Sequence, residues 1–226
     1  MKYENNDSGF RAFCEAATIA LEREVGSLQG KLIESLHSLE SRWHPNGFAV
    51  FHIDDDHALG NLRLHIWPDG PRVARSDDAP IHTHVWHLCS RILAGNYRET
   101  IYAESGEDSM GGKEYHSASI DYLLDKDAFR ASSKRVLSPK ITTLDSAGSF
   151  HLVPADVPHE THIDDGSFVA TMLIASNPVT EKAVMYSPKE IRSSTYDRPV
   201  LTSDEKWSLL SRLEREMKFN QGESNC

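Results

Sequence analysis

The sequence has few of the features that mark secreted, membrane-spanning or nucleic-acid-binding proteins. Its 226 residues include three cysteines, an odd and scattered set that predicts no disulfide framework: Cys14, Cys89 and Cys226. No apolar run is long enough to cross a membrane, and the N-terminal residues lack the apolar segment of a secretory signal. These absences predict a cytoplasmic protein with no membrane partner.

Positive charge is scarce as well. The 24 lysines and arginines are outnumbered by 34 aspartates and glutamates, which gives a formal net charge of −10 at pH 7. A polyanion is repelled by this charge, so nucleic acid is not expected as a partner. The hydrophobic fraction of 39% is that of a globular protein, and the length suits one core. We therefore predict a single domain over residues 1–226.

Apolar residues recur at helical spacing in residues 1–46. This pattern predicts two N-terminal helices, with Asp7 or Ser8 as the N-cap of the first. Because glycine weakens a helix, we expect the break between the two helices near Gly26 or Gly30.

The middle of the chain, residues 47–177, has the periodicity of strands. Its short segments are rich in β-branched and aromatic residues and are bounded by Gly, Pro, Asp and Asn. They predict an all-β core that closes as a sandwich or barrel, whereas residues 103–119 are predicted to form a polar loop. Residues 178–226 return to helical spacing, and Thr202 or Ser203 is the expected N-cap of a C-terminal helix.

Two histidine patterns, far apart in the chain, carry the chemical signal. Alternation along a strand places His82 and His84 on one face, where two imidazoles can bind one ion. Downstream, the stretch GSFHLVPADVPHETH contains Gly148, Pro154 and His159 at fixed intervals.

Together these patterns resemble the two motifs of the cupins, which are H-x-H followed by a glycine turn, here Gly95, and G-x5-P-x-G-x-x-H. The sequence departs from the second motif at Asp156, where the pattern has glycine. The resemblance implies a mainly β fold, a cupin double-stranded β-barrel (jelly roll) with flanking N-terminal and C-terminal helices. It also implies that His82, His84 and His159 are metal ligands.

Three further histidines lie near the two motifs, and each has its own expected position or role. His87 has the opposite strand parity from the H-x-H pair, so we expect it on the surface or behind the ligands. His162 replaces His159 as a ligand if the loop there coils differently. His151 lies on the strand of the second motif, where it either packs in the barrel or supports a ligand.

The glutamate ligand that usually follows the cupin H-x-H is missing, because residues 85–89 contain no carboxylate. Three neutral imidazoles leave a divalent ion its full positive charge and about three open positions for substrate and dioxygen. The sequence is most similar to the thiol dioxygenases of the cysteine dioxygenase type, whose first motif also lacks this glutamate. That resemblance implies a mononuclear non-haem iron(II) dioxygenase that acts with dioxygen on a small polar substrate such as a thiol, an amino acid or an amine.

The resemblance also gives Cys89 a candidate catalytic role, since that family has a cysteine after the H-x-H that cross-links to a tyrosine. The alternative is a buried structural thiol. The strand that should carry a serine, histidine and tyrosine relay has Thr171, Leu173 and Ala175 instead, and Val50 is nearest to the position of the family's substrate-binding arginine. The residues that bind substrate are therefore expected to differ from those of the family.

Strand parity suggests replacements. In NLRLHIW, Arg63, His65 and Trp67 alternate with leucine and isoleucine, and by analogy with the family the first set faces the lumen. Arg63, His65 and Trp67 are then candidate catalytic residues that orient the substrate. Arg63 and His65 bind an anion, and Trp67 forms an apolar wall with Trp86. The alternative places Arg63 in solvent and His65 on the surface.

The predicted cofactor is Fe(2+), with Ni, Mn, Zn and Cu as alternatives. Two other functions fit the same sequence: a metal-dependent cupin without redox chemistry, such as a hydrolase, lyase or isomerase, and a non-catalytic binding or sensor cupin. The flanking helices could also support a homodimer.

Overall fold

The computed structural model describes residues 2–28, 32–70, 80–105, 111–123 and 126–223. Gly30 and Cys226, two residues singled out in the sequence, lie outside these ranges. The helices are α1 (Asp7–Leu28), α2 (Leu32–His37) and α3 (Ser203–Glu223). The strands are β1 (Ser41–Trp43), β2 (Ala49–His57), β3 (Gly60–Trp67), β4 (Ile81–His82), β5 (Leu88–Ala94), β6 (Asn96–Ser105), β7 (Lys113–Tyr122), β8 (Lys126–Ser146), β9 (Phe150–Val153), β10 (His159–His162), β11 (Val169–Ala175), β12 (Ala183–Ser187) and β13 (Ser194–Asp197).

The strands form two antiparallel sheets. The first has the order β1-β2-β3-β11-β5-β9, and the second has the order β13-β8-β6-β10-β4-β12-β7. Strand β8 also pairs with β7, so the second sheet curls back on itself. This arrangement confirms the predicted fold class, a mainly β, double-stranded barrel of the jelly-roll type with helices at both ends.

The helices cover the outer face of the first sheet. Helix α1 buries one stripe, Phe13, Ala17 and Leu21, whose four-residue spacing places all three on one side. Together with α3 residues such as Leu213 and the outward-facing residues of the first sheet, this stripe forms one apolar core. No described helix is both long and apolar enough to span a bilayer.

The N-caps of the helices agree only in part with those predicted from the sequence. The N-cap of α1 is Asn6, whose side-chain oxygen accepts a hydrogen bond from the Gly9 amide (2.8 Å), and not Asp7 or Ser8. The N-cap of α3 is Thr202 as predicted. Its amide donates to the Glu205 carboxylate (2.7 Å) while the Glu205 amide donates to the Thr202 hydroxyl (3.3 Å), which forms a capping box.

The strands extend beyond the range predicted for the β core. Strand β1 lies before residue 47, and β12 and β13 lie after residue 177. The predicted loop at residues 103–119 is also wrong where the structure describes it, since β6 continues to Ser105 and β7 begins at Lys113. Strands β7, β8 and β13 escaped detection because at least one of their faces is polar, and β8 has an exposed polar run along most of its length.

Candidate metal centre

Three histidines converge between the two sheets. His82 on β4 lies directly opposite His159 on β10 in the antiparallel register, and His84 follows two residues later. One ligand atom from each of the three lies within 4.8 Å of the others. A group of this kind can hold a metal ion, and it is the set that the sequence predicted.

The local path of the chain differs from the prediction. Strand β4 ends at His82, so His84 does not share a regular strand with it. The chain stays extended nonetheless, because the Thr83 amide donates to the Val184 carbonyl (2.8 Å) and the Thr83 hydroxyl accepts from the Val184 amide (2.9 Å). Alternation is thereby preserved, and both histidines line the cavity.

Hydrogen bonds and burial prepare the imidazoles as ligands. Nδ1–H of His82 donates to the Pro80 carbonyl (3.0 Å), and Nδ1–H of His159 donates to the Val157 carbonyl (2.9 Å). In both residues this leaves the lone pair of Nε2 free. Burial lowers the pKa of each of the three histidines. Neutral nitrogen ligands fit a first-row divalent ion such as iron, nickel, manganese, zinc or copper.

Asp156 explains how the second motif works without its glycine. The residue has a φ of 62°, which is the left-handed backbone conformation that glycine adopts most readily. Aspartate is one of the few other residues found there. Its amide donates to the His84 carbonyl (2.9 Å), so the turn between β9 and β10 contacts the first motif directly.

The histidines open onto a cavity of about 730 Å³ between the sheets. On β3, Leu62, Leu64 and Ile66 are buried in the outer core, and the alternate residues face the cavity. Those alternate residues are Asn61, Arg63, His65 and Trp67. Arg63, His65 and Trp67 therefore face inward, and the alternative of an exposed Arg63 is wrong.

Arg63 and His65 each have a buried nitrogen that forms no hydrogen bond within the described part of the chain. These two atoms are Nε of Arg63 and Nε2 of His65. The Arg63 guanidinium lies 5.5 Å from the centre of the Trp86 ring. Burial lowers the pKa of His65 well below its usual range, and the nearby charge of Arg63 adds to this shift. His65 is therefore a neutral imidazole.

A buried ion pair that no pattern in the sequence indicated also lines the cavity. Arg198 donates from Nε and Nη2 to the two carboxylate oxygens of Asp127 (2.9 and 2.7 Å). Tyr122 lies beside this pair, and burial followed by the charge of Asp127 raises its pKa. These residues come from β7, β8 and the segment after β13, so no local spacing could reveal them.

Cys89 lies on the other side of its sheet. The thiol is fully buried in the core beneath α1, where it lies 3.8 Å from the Thr18 hydroxyl, and burial raises its pKa to about 11. Its neighbours Leu88 and Ser90 face the cavity. The predicted catalytic role of Cys89 is corrected by this placement, which fits the structural thiol. Where the resemblance expected the partner relay, Thr171 and Leu173 line the cavity, and so does Val50.

The remaining histidines are not part of the cluster. His162 is exposed and lies 3.1 Å from Asp164, so it does not replace His159. His87 is buried beneath the N-terminal segment and not at the surface. His151 lines the cavity, with Nε2 at 3.8 Å from Oε1 of the buried Glu99.

No protein-family model matches the chain, and no curated protein matches it. Among solved structures, the chain is similar to the crystal structure of an RmlC-like cupin protein from Ralstonia eutropha. The two are 12% identical, the match covers 80% of this chain and 83% of that chain, and the TM-score is 0.33. The architecture and the site described above rest on this chain's own strands and side chains.

Proposed function

We propose that this protein is a mononuclear non-haem iron(II) oxygenase that acts with dioxygen on a small polar substrate, namely a thiol, an amino acid or an amine. The observation that carries the proposal is the group of three convergent, neutral histidines, which contains no carboxylate among the described residues. Such a ligand set leaves the charge of the ion uncompensated and about three coordination positions open. Bound iron(II) supplies Lewis acidity and electrons for the activation of dioxygen.

The residues that line the cavity bind and orient the substrate and exclude water. Arg63 and His65 offer buried donors that can bind and orient a polar substrate. Trp67 and Trp86 form apolar walls that exclude water from the space in front of the histidines. Arg63 keeps its positive charge at neutral pH, because even a buried guanidinium stays protonated.

The proposal is tested by oxygen uptake. Protein loaded with iron(II) under anaerobic conditions is mixed with a panel of small thiols, amino acids and amines in buffer that contains oxygen. We expect oxygen consumption that depends on one of these substrates, and none with the zinc-loaded protein. His84→Ala should reduce uptake to the background rate, while His162→Ala should leave it unchanged because His162 lies outside the cluster.

Two results would contradict the proposal. Turnover of a substrate in the absence of oxygen by the nickel, manganese, zinc or copper form would indicate a hydrolase, lyase or isomerase. Tight metal binding with no turnover of any substrate would indicate a binding or sensor protein.

A further inference from the structure

We infer that the cavity selects a substrate with one carboxylate on an aromatic body, with Arg63 and His65 binding the carboxylate and Trp86 packing against the ring. The inference deepens the proposed function and rests on it, because the same cavity is the substrate site. It names the class of substrate for which the residues of this chain are suited.

The first support is a pair of unsatisfied donors. Nε of Arg63 and Nε2 of His65 are both buried, and neither has a hydrogen-bond partner among the described residues. The two side chains stand two residues apart on the cavity face of β3, so they border the same space. Buried polar atoms in folded proteins nearly always have a partner. A carboxylate supplies two acceptor oxygens, which suit a guanidinium and a neutral imidazole that carries its proton on Nε2.

The second support is the balance of charge around the cavity. Three arginines line it, and two of them are already paired with carboxylates. Arg42 lies 2.6 Å from Glu40, and Arg198 forms the buried pair with Asp127. Arg63 forms no ion pair with any carboxylate in the described ranges. One uncompensated cation in a largely buried position is suited to one negative charge on the ligand.

Asp55 does not change this balance. It lines the cavity and acts on Arg63 electrostatically, but its carboxylate lies 3.0 Å from Nδ1 of His52 and remains half exposed. Water therefore screens its effect on Arg63.

The third support is the aromatic surface that joins Arg63 to the histidine cluster. The ring of Trp86 lies under the Arg63 guanidinium at 5.5 Å and stacks on His84 at a centroid distance of 5.9 Å with an interplanar angle of 17°. Tyr122 extends this surface, with its ring 4.9 Å from that of Trp86. An aromatic group laid along Trp86 can thus have its carboxylate at Arg63 while the rest of the molecule faces the metal ligands.

The size of the cavity agrees with this reading. Pockets that bind drug-sized molecules have volumes of about 300–1,000 Å³, and the volume here is about 730 Å³. A substrate of only a few heavy atoms would leave most of this space unfilled. Additional aromatic walls come from Phe48 and Trp67, whose rings lie 4.5 Å apart.

The test measures binding and does not depend on turnover. The zinc-loaded full chain, which is redox-inert, is titrated by calorimetry with 3-phenylpropionate, with its neutral analogue 3-phenylpropionamide, and with propionate. We expect 3-phenylpropionate to bind about tenfold more tightly, or better, than the amide, since a charge-assisted hydrogen bond contributes this much. We expect propionate to bind at least about tenfold more weakly than 3-phenylpropionate, because it cannot use Trp86.

Variants assign these preferences to residues. Arg63→Gln should remove the preference for the acid over the amide, and Arg63→Lys should keep part of it because the charge remains. Trp86→Leu should weaken 3-phenylpropionate but not propionate. Arg98→Gln is the matched control, since Arg98 is an exposed arginine on β6 paired with Asp164, and it should bind like the wild type.

The inference is overturned if the acid and the amide bind equally, if the preference survives in Arg63→Gln, or if propionate binds as tightly as 3-phenylpropionate. It is also overturned if none of the three probes binds at millimolar concentration. Circular dichroism checks that each variant is folded, and Arg63→Lys and Trp86→Leu decide the matter if Arg63→Gln is not. Selective binding without oxygen uptake by the iron form would leave this inference standing and refute the proposed oxygenase, so the two failures are distinguishable.

Discussion

Glu99 is a carboxyl group buried beside the cavity residues Thr161 and His151. It is 1% exposed, and its Oε2 accepts a hydrogen bond from the Thr161 hydroxyl (2.7 Å). Its Oε1 has no hydrogen-bond partner in the part of the chain that the structure describes. Burial raises its pKa to about 8. At neutral pH this side chain therefore carries a proton in the folded protein.

The raised pKa makes stability depend on pH. A glutamate in the unfolded chain has a pKa near 4.5. The contribution of Glu99 to stability is therefore complete below about pH 4.5 and falls as the pH rises to about 8, because only the folded state then still holds the proton. The slope can reach about 1.4 kcal/mol per pH unit. In Glu99→Gln, which has no proton to lose, we expect this slope to disappear.

Urea denaturation of the metal-free proteins between about pH 7 and 8 measures the effect. The histidines of the cluster have lowered pKa values, so their contribution changes only below the pKa of about 6.5 in the unfolded chain and does not interfere in this range. Equal slopes for the wild type and Glu99→Gln would show that Glu99 is already ionised in the folded protein.

At the scale of secondary-structure elements, the imidazole of His87 links the segment before α1 to the barrel through hydrogen bonds. Nε2–H of His87 donates to the Glu4 carbonyl (3.0 Å), and Nδ1 of His87 accepts from the Ala155 amide (2.9 Å). His87 is 1% exposed and lies between the rings of Phe10 and Phe13, at 5.2 and 5.9 Å. The segment before α1 is thus held by polar contacts to the residue before β5, which in turn binds the segment after β9, and α1 adds apolar packing.

His87→Phe keeps the ring but removes both hydrogen bonds. The Glu4 carbonyl and the Ala155 amide then lose their partners, and we expect the free energy of unfolding to fall by about 2–4 kcal/mol. Urea denaturation at neutral pH measures this loss. His162→Phe, a change at an exposed histidine, should alter stability by less than about 0.5 kcal/mol. A loss as small as that in His87→Phe would show that these two bonds do not hold the N-terminal segment.

Features that lie within a single element could be predicted from the sequence. The two histidine motifs each lie within a short stretch, so their resemblance to the cupin motifs could single out His82, His84 and His159. Parity grouped Arg63 with His65 and Trp67, because β3 alternates regularly between two faces, and analogy with the family favoured the cavity side for this group. The sequence left both readings of Cys89 open, because its distance along the chain from the histidines does not reveal the sheet face on which it lies.

Other parts of the site had no local signal. The Arg198–Asp127 pair joins the end of β13 to β8, and such a contact depends on the register of strands that are far apart in sequence. The polar strands β7 and β8 lack the apolar alternation by which strands are recognised. Tyr122 and Asp127 therefore could not be assigned to the cavity from the sequence.

At the scale of the whole molecule, the three histidines of the cluster come from parts of the chain that are distant in sequence. His82 and His84 belong to the first motif, whereas His159 comes from β10 in the second. An ion bound by all three stabilises the folded state, because the unfolded chain does not hold them together. The gain is about 2.7 kcal/mol when the free metal concentration is 100 times the Kd.

We expect the Tm to rise by about 5–10 °C when zinc is added at that ratio to the metal-free protein. Differential scanning calorimetry with zinc and with a chelator measures the shift. His159→Ala should lose most of it, and His162→Ala should keep it in full. An equal shift in His159→Ala would show that the stabilising metal binds elsewhere.

The register of β4 and β10 also governs the order of events during folding. His159 stands opposite His82, and a long stretch of chain between them must first find its partners in both sheets. Loops of this length close late, and barrels built from non-local pairings fold slowly. Before the barrel assembles, only the two neighbouring histidines of the first motif lie close together, so the three-histidine group is complete only afterwards. We therefore expect that a metal bound by all three histidines enters late in the maturation of the protein.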